Sequence, residues 1–293
     1  MKLSHSKAVI LMLAVTLMWS TAGVVTRHLD AARSFEATLW RSFFTAISLL
    51  LILPLWQGRK VWSDIRRSGP LSWLSGFCWC VMFTAFMVAL TLTSVSNVLV
   101  TMALGPLLTA LIARIFLGHR IATRTWAAIG VAGVGIVVMY ADQLSSDQWL
   151  GSLVALCVPL AGATHWTVTQ RAHAEGADVD LVPAVLLGAV LSSLLVLPLA
   201  LPFEATSHDL GLLAFLGLCQ LAIPCVLSVI CARVLKAPEI ALLALLEVVF
   251  GIALAWVGAG ETPQTSVLLG GSLVIGALVV SEWLGLLQRR TSP

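Results

Sequence analysis

The sequence predicts an all-α membrane protein of ten transmembrane helices, arranged as two inverted five-helix repeats around a central cavity. Three observations predict it. Hydrophobic residues make up 59% of the 293 residues and charged residues 11%, against roughly 45–50% apolar and about 25% charged in soluble domains. The apolar residues fall into ten runs, each near the roughly 20 residues that cross the hydrocarbon core with every backbone group bonded inside the helix. Finally, the chain resembles itself at a nearly constant spacing.

In chain order, apolar runs separated by short polar breaks place spans at 8–25, 36–56, 70–92, 94–117, 123–140, 149–169, 181–203, 210–233, 238–258 and 266–287. The first follows a basic start that resembles a signal peptide. Its apolar run continues to residue 25 without an A-x-A cleavage pattern, so it is read as an uncleaved first helix. The break at 91–97, between the third and fourth spans, is the least marked. Trp56, Trp62, Trp73, Trp126, Trp149 and Trp283 fall near span ends, where an indole keeps its ring among acyl chains and its N–H among headgroups. They read as anchors. All six cysteines lie inside apolar runs without His partners or CxxC pairing, and read as small packing residues, not a zinc or disulfide framework.

Charge sets the expected orientation. The 17 Lys and Arg residues cluster between spans instead of forming a stripe that follows a nucleic acid. Cytoplasmic termini place Lys2, Lys7, Arg59, Lys60, Arg66, Arg67, Arg120, Arg124, Arg171, Arg233, Lys236, Arg289 and Arg290 inside, as the positive-inside rule requires. Only Arg27, Arg33 and Arg41 fall toward the outside. The outer loops after the fifth, seventh and ninth spans carry Asp142, Asp147, Glu204, Asp209 and Glu261 and no Lys or Arg. A multi-pass protein of a bacterial-type inner membrane is the expectation.

The repeat is carried by four short matches. The run 50–55 recurs as 194–199, an offset of 144; Gly118-His119 corresponds to Gly260-Glu261 at 142; Gly76 and Gly217 lie 141 apart, and Gly130 and Gly270 lie 140 apart. The division is therefore 1–144 and 145–293. Five spans per repeat is an odd number, so the second repeat enters the membrane from the opposite side. Inverted repeats recur in secondary transporters, with substrate bound near the midplane between the halves. A scaffold or a channel built from duplicated helices is the plainer alternative.

The chain resembles the drug/metabolite transporter superfamily and, within it, the ten-helix EamA-type exporters. The residues that carry the resemblance are Trp19-Ser20, Trp40-Arg41-Ser42-Phe43, the run 104–111 leading to Leu117-Gly118-His119-Arg120, the run 245–250 leading to 258–262, and the glycine-spaced tenth span from Gly270 to Gly276. One departure stands out: Gly-Glu is usual after the fourth helix, and here Gly118 is followed by His119. Among members the pattern is most similar to YddG-type aromatic amino-acid exporters, which implies export of amino acids, aromatic ones among them, and related metabolites; a carrier of another metabolite or of a drug-like cation is the alternative.

A charge inside a span costs roughly 2.5–3.5 kcal/mol at its centre, so each intramembrane ionisable residue is a functional suspect. Glu247, about ten residues into the ninth span, takes a substrate amine or a proton, or else is a polar lock between helices. Arg41 lies a turn or so into the second span and can snorkel to the interface, so a structural or lipid-facing role stands at least level with carboxylate binding. His165 and Trp166 in the sixth span, Trp19 in the first and Trp79 in the third offer aromatic walls and polar atoms for an aromatic amine or amino acid. Asn97 and Thr101 are further candidates. For each of these, helix packing is the bland alternative. Pro106 with Gly105, Pro159 and Pro224 interrupt spans as hinges or as static kinks.

No nucleophile with its base, phosphate loop or HExxH-type site occurs in the sequence, and the loops are too short for a soluble catalytic domain. The chain is not expected to be an enzyme, and no cofactor or metal is expected. Partners are the bilayer and a small-molecule substrate, in a monomer or homodimer. Coupling to protons and facilitated diffusion are both compatible with a single midspan acid. Alternating access around a cavity lined by spans 1, 3, 4, 6, 8 and 9 is the expected mechanism.

Overall fold

Helices fill the places that the apolar runs reserve for them, because a chain in hydrocarbon has to satisfy its backbone within each segment. The computed structural model describes residues 4–58, 69–118, 123–141, 149–174, 182–232, 234–235, 243–244 and 246–291. Among these residues there is no strand. The helices are α1 His5–Thr26, α2 Ser34–Gln57, α3 Pro70–Leu92, α4 Val95–Met102, α5 Gly105–Leu117, α6 Thr123–Ala141, α7 Trp149–Ala174, α8 Val182–Ala200, α9 Ser207–Phe215, α10 Ile223–Ala232, α11 Leu246–Ala259 and α12 Thr265–Thr291. A wide π-type turn, Leu216–Ala222, joins α9 to α10.

Seven helical stretches among the described residues are long and apolar enough to cross a membrane, and shorter apolar helices stand at Thr123–Met139, Trp149–His165 and Leu246–Ala259. Those three occupy the fifth, sixth and ninth predicted spans. The weakly marked break at 91–97 is a true helix boundary: Ser94 leaves the helical region and its side chain accepts the Asn97 N–H as an N-cap.

Two spans are broken where proline dictates. A proline inside a helix has no N–H to give and its ring collides with the carbonyl four residues back. For Pro106 that residue is Met102, the last of α4, and the chain turns there before α5 begins at Gly105. For Pro224 it is Gln220, and the wide turn accommodates the ring. Pro159, in contrast, lies within an unbroken α7.

The described helices pack in a small set of pairs: α6 with α12, α3 with α7, α3 with α8, α2 with α8, α1 with α11, α7 with α4 and α5, α2 with the wide turn, α1 with α10, and α11 with α4. Close approach is the reason for two glycines. A side chain at Gly76 would meet Leu187 of α8, and one at Gly217 would run into the backbone of α2 at Arg41 and Thr45. Apolar side chains such as Leu55, Ile115 and Val257 face outward into the lipid.

Trp73, Trp126, Trp149 and Trp283 are exposed near helix ends, as anchors require. Trp62 and the side chain of Trp56 lie outside the described residues. Cys78, Cys80, Cys225 and Cys231 are buried, Cys219 is half-buried and Cys157 is exposed; none forms a disulfide.

Candidate functional site

The buried face of α2 is built from residues at helical spacing: Ala37, Thr38, Arg41, Ser42, Thr45 and Leu49 are all nearly inaccessible. This corrects the expectation for Arg41, which does not snorkel. It is 1% exposed. Snorkelling needs a lipid-facing path to the interface, and α3, α8 and the wide turn close over this side of α2 instead.

The Arg41 guanidinium is held by neutral groups. Nη1 donates to Gln220 Oε1 at 3.2 Å and Nη2 to the Phe83 carbonyl at 3.1 Å. Its carbon lies 5.9 Å from the centre of the Phe83 ring and 5.4 Å from that of Phe86, so both rings contribute cation–π attraction. Nε is buried and has no partner among the described residues. Gln220 in turn donates to the Trp19 carbonyl at 3.4 Å. Cys225, one turn after Gln220, interacts with the Trp19 side chain and is within electrostatic reach of both Arg41 and Glu247.

Of the residues singled out from sequence, the structure brings Trp19 and Glu247 to this cluster. Glu247 stands in the first turn of α11 and is half-buried, with no hydrogen bond or ion pair among the described residues. His165 and Trp79 form a second group beside it. His165 Nδ1 is 2.9 Å from Ser75 Oγ, its ring is 5.6 Å from Trp79, and Trp79 is 5.4 Å from Phe83, the ring under Arg41. Trp79 Nε1 is buried without an acceptor among the described residues.

Asn97 and Thr101 belong elsewhere. Asn97 is fully buried and donates to Thr93 Oγ1 at 3.0 Å and to Ser152 Oγ at 2.6 Å, tying α4 to α7. Thr101 Oγ1 returns to the Asn97 carbonyl at 2.7 Å. The side chain of Trp166 and the whole of His119 lie outside the described residues.

A separate polar network ties the end of the bundle at which α1 finishes. Arg27 Nε meets Glu261 Oε2 at 2.6 Å, while Nη1 and Nη2 donate to the Leu90 and Thr93 carbonyls at 2.7 and 2.8 Å. Glu261 Oε1 accepts the Val95 N–H at 2.6 Å and so neutralises the start of α4. Fully buried Glu36 accepts from the Glu204 and Ala205 amides. Fully buried Asp209 accepts from the amides of Asp30, Ala31, Ala32 and Thr206. Asp30 and His208 lie close to Asp209. Both Asp209 oxygens already serve the loop amides, so this group is a clasp between the 30–32 and 206–209 segments.

Apolar helices enclosing a buried polar cluster define an integral membrane protein. Residues 6–141 match the model of the EamA-like transporter family, a stretch that runs from α1 to the end of α6. Over that stretch, a little under half of the chain, the sequence is similar to EamA-like transporters. No curated protein matches the chain. Twenty chains of solved structures do. One of these, a crystal structure, is 18% identical, with a TM-score of 0.64 over 99% of this chain and 100% of its own. At that identity the likeness speaks for the fold alone.

Proposed function

We propose that this protein exports amino acids, aromatic ones among them, from the cytoplasm by alternating access between two inverted five-helix halves, 1–144 and 145–293. The observation that carries the reading is the exchange of helix pairs between the halves. Matching α1 to α7, α2 to α8, α3 to α9 and α10, α4 and α5 to α11, and α6 to α12 turns the α3–α7 contact into α1–α10. It turns α3–α8 into α2 with the wide turn, and α1–α11 into α7 with α4 and α5. The pairs α2–α8, α6–α12 and α4–α11 map onto themselves. Every pair in this set occurs among the observed contacts. Gly76 and Gly217, one repeat apart, occupy two of the exchanged contacts. Two halves with interchangeable contacts have two related arrangements of similar energy, which is what alternating access needs.

In this reading the Arg27 end faces outward and is closed, since cross-half contacts of Arg27, Glu36, Asp209 and Glu261 have to part before it opens. Gly105 with Pro106, Pro159 and Pro224 are the hinges. Trp19, Trp79, His165 and Glu247 line the substrate path. Glu247 takes the substrate amine.

The test is flux in liposomes containing the pure protein. Saturable counterflow of amino acids, inhibited by unlabelled aromatic ones, is the expected result. Conductance of channel size, or saturable transport of sugars or cations with amino acids inert, would sink the amino-acid reading. Comparing uptake with and without an imposed pH gradient separates proton coupling from facilitated diffusion.

A further inference from the structure

A guanidinium is costly to enclose in a membrane protein, and among the described residues no carboxylate hydrogen-bonds to Arg41. Each intramembrane charge costs roughly 2.5–3.5 kcal/mol at the bilayer centre by insertion scales, and buried charges are therefore normally paired. Its two acceptors are an amide oxygen and a backbone carbonyl, at 3.2 and 3.1 Å. Those lengths exceed the roughly 2.7–2.9 Å of a charge-assisted bond to a carboxylate. Nε, a donor on the side-on edge that arginine offers to a planar bidentate acceptor, is buried and unused among the described residues. Both described acceptors of the guanidinium are neutral.

We propose that Arg41 is the anchor for the carboxylate of the transported substrate, and that the Gln220 amide holds the place of that carboxylate when no substrate is bound. This rests on the transporter reading above and names the chemistry its cargo must carry: organic acids, amino acids included. Several features converge on it. Gln220 sits in the widened turn that Pro224 imposes, so its amide is set against Arg41 by backbone geometry and not by a strong bond. Its other contact, to the Trp19 carbonyl at 3.4 Å, is at the outer limit of a hydrogen bond. A carboxylate that displaces the amide gains a charge-assisted pair and releases only two weak bonds. Phe83 and Phe86 flank the guanidinium, and Trp79 packs on Phe83, so the three supply an apolar wall for the rest of the molecule. Glu247, which like Arg41 acts electrostatically on Cys225, is an acid for a cargo that also carries an amine.

The experiment uses the full chain, purified in detergent, and reads the melting temperature against a panel at millimolar concentration. The panel holds L-amino acids, 2-oxo acids and indole-3-propionate, each acid paired with its amide or its decarboxylated amine, for instance L-tryptophan with L-tryptophanamide and tryptamine. At least one acid is expected to raise the melting temperature while its amide and amine do not. Arg41→Lys, which keeps the charge but loses the fork, is expected to weaken that binding about tenfold or more. Gln220→Glu supplies a permanent internal carboxylate. It is expected to raise the melting temperature of the ligand-free protein and to abolish the response to acids.

Amides or amines binding as well as the acids would overturn the proposal. So would a Gln220→Glu protein that binds acids normally, the result expected if Arg41 merely glues α2 to α3, or a panel in which no acid binds. Flux measurements in liposomes fail independently. A protein that moves amines or sugars but no acid keeps its transporter reading and loses this one, whereas a protein that moves nothing loses the first.

Discussion

Arg27 and Arg41 are the same side chain in opposite circumstances. Arg27 closes three bonds of 2.6 to 2.8 Å, one of them to the carboxylate of Glu261, and that carboxylate caps α4 in turn. Among the described residues Arg41 makes two bonds of 3.1 to 3.2 Å to neutral acceptors and leaves a donor idle. The first is a completed network that defines one arrangement of the helix ends. The second is an incomplete one that a solute of the right charge improves. A transporter needs both kinds: contacts that hold a conformation until it switches, and a binding group whose ground state is not already satisfied.

Substitutions sharpen this contrast, beginning with the most disruptive. Gly217→Leu places a branched side chain against the backbone of α2 at Arg41 and Thr45, which cannot yield as a side-chain tip can. We expect loss of the folded protein, read as a failure to elute as a single species from size-exclusion chromatography in mild detergent. Asp209→Ala removes the acceptor of four amides. Asp30 and Ala31 are exposed, so water reaches the freed amides and limits the cost to about 2 kcal/mol, seen as a lower melting temperature with faster amide exchange at 30–32.

Glu261→Gln keeps the shape and removes the charge opposite Arg27. With both side chains partly exposed, a loss of about 1 kcal/mol is expected, together with faster exchange of the Val95 amide. The smallest effect on stability is expected for Glu247→Gln, since Glu247 has no hydrogen-bond partner among the described residues. Its melting temperature should stay within about 1 °C, because an unpartnered group forfeits little when neutralised. Transport or its pH profile should nevertheless be impaired. Unchanged rates and an unchanged profile would remove Glu247 from the site.

The helices were legible because the bilayer enforces them: apolar length and short polar breaks locate each span, and even the weak break at 91–97 carries its N-cap at Ser94. The aromatic anchors were legible for the same reason. Arg41 was not, because distance from a helix end says only that its head is able to reach the interface. Its burial depends on Phe83 and Gln220, 42 and 179 residues away. A signal was nonetheless present, since the small and polar residues 37, 38, 42 and 45 share the face of Arg41, and a lipid-facing surface would not carry them. Gln220 was invisible as a glutamine in an apolar run; only the proline four residues later hinted that its turn would be distorted. Thr101 was misleading in the ordinary way of threonine in membrane helices, whose hydroxyl returns to its own backbone.

Glu36, Asp209 and Glu261 all grasp main-chain N–H groups. Main-chain donors are present whatever amino acid is encoded, proline excepted. The loop segments 30–32 and 204–205 are therefore free to vary in sequence without loosening this end of the bundle, and the burden of preserving it rests on three acidic codons and on Thr206, whose hydroxyl accepts the Asp209 N–H. A library that randomises those loops while sparing the three acids should return mostly folded protein, with proline the one residue depleted throughout.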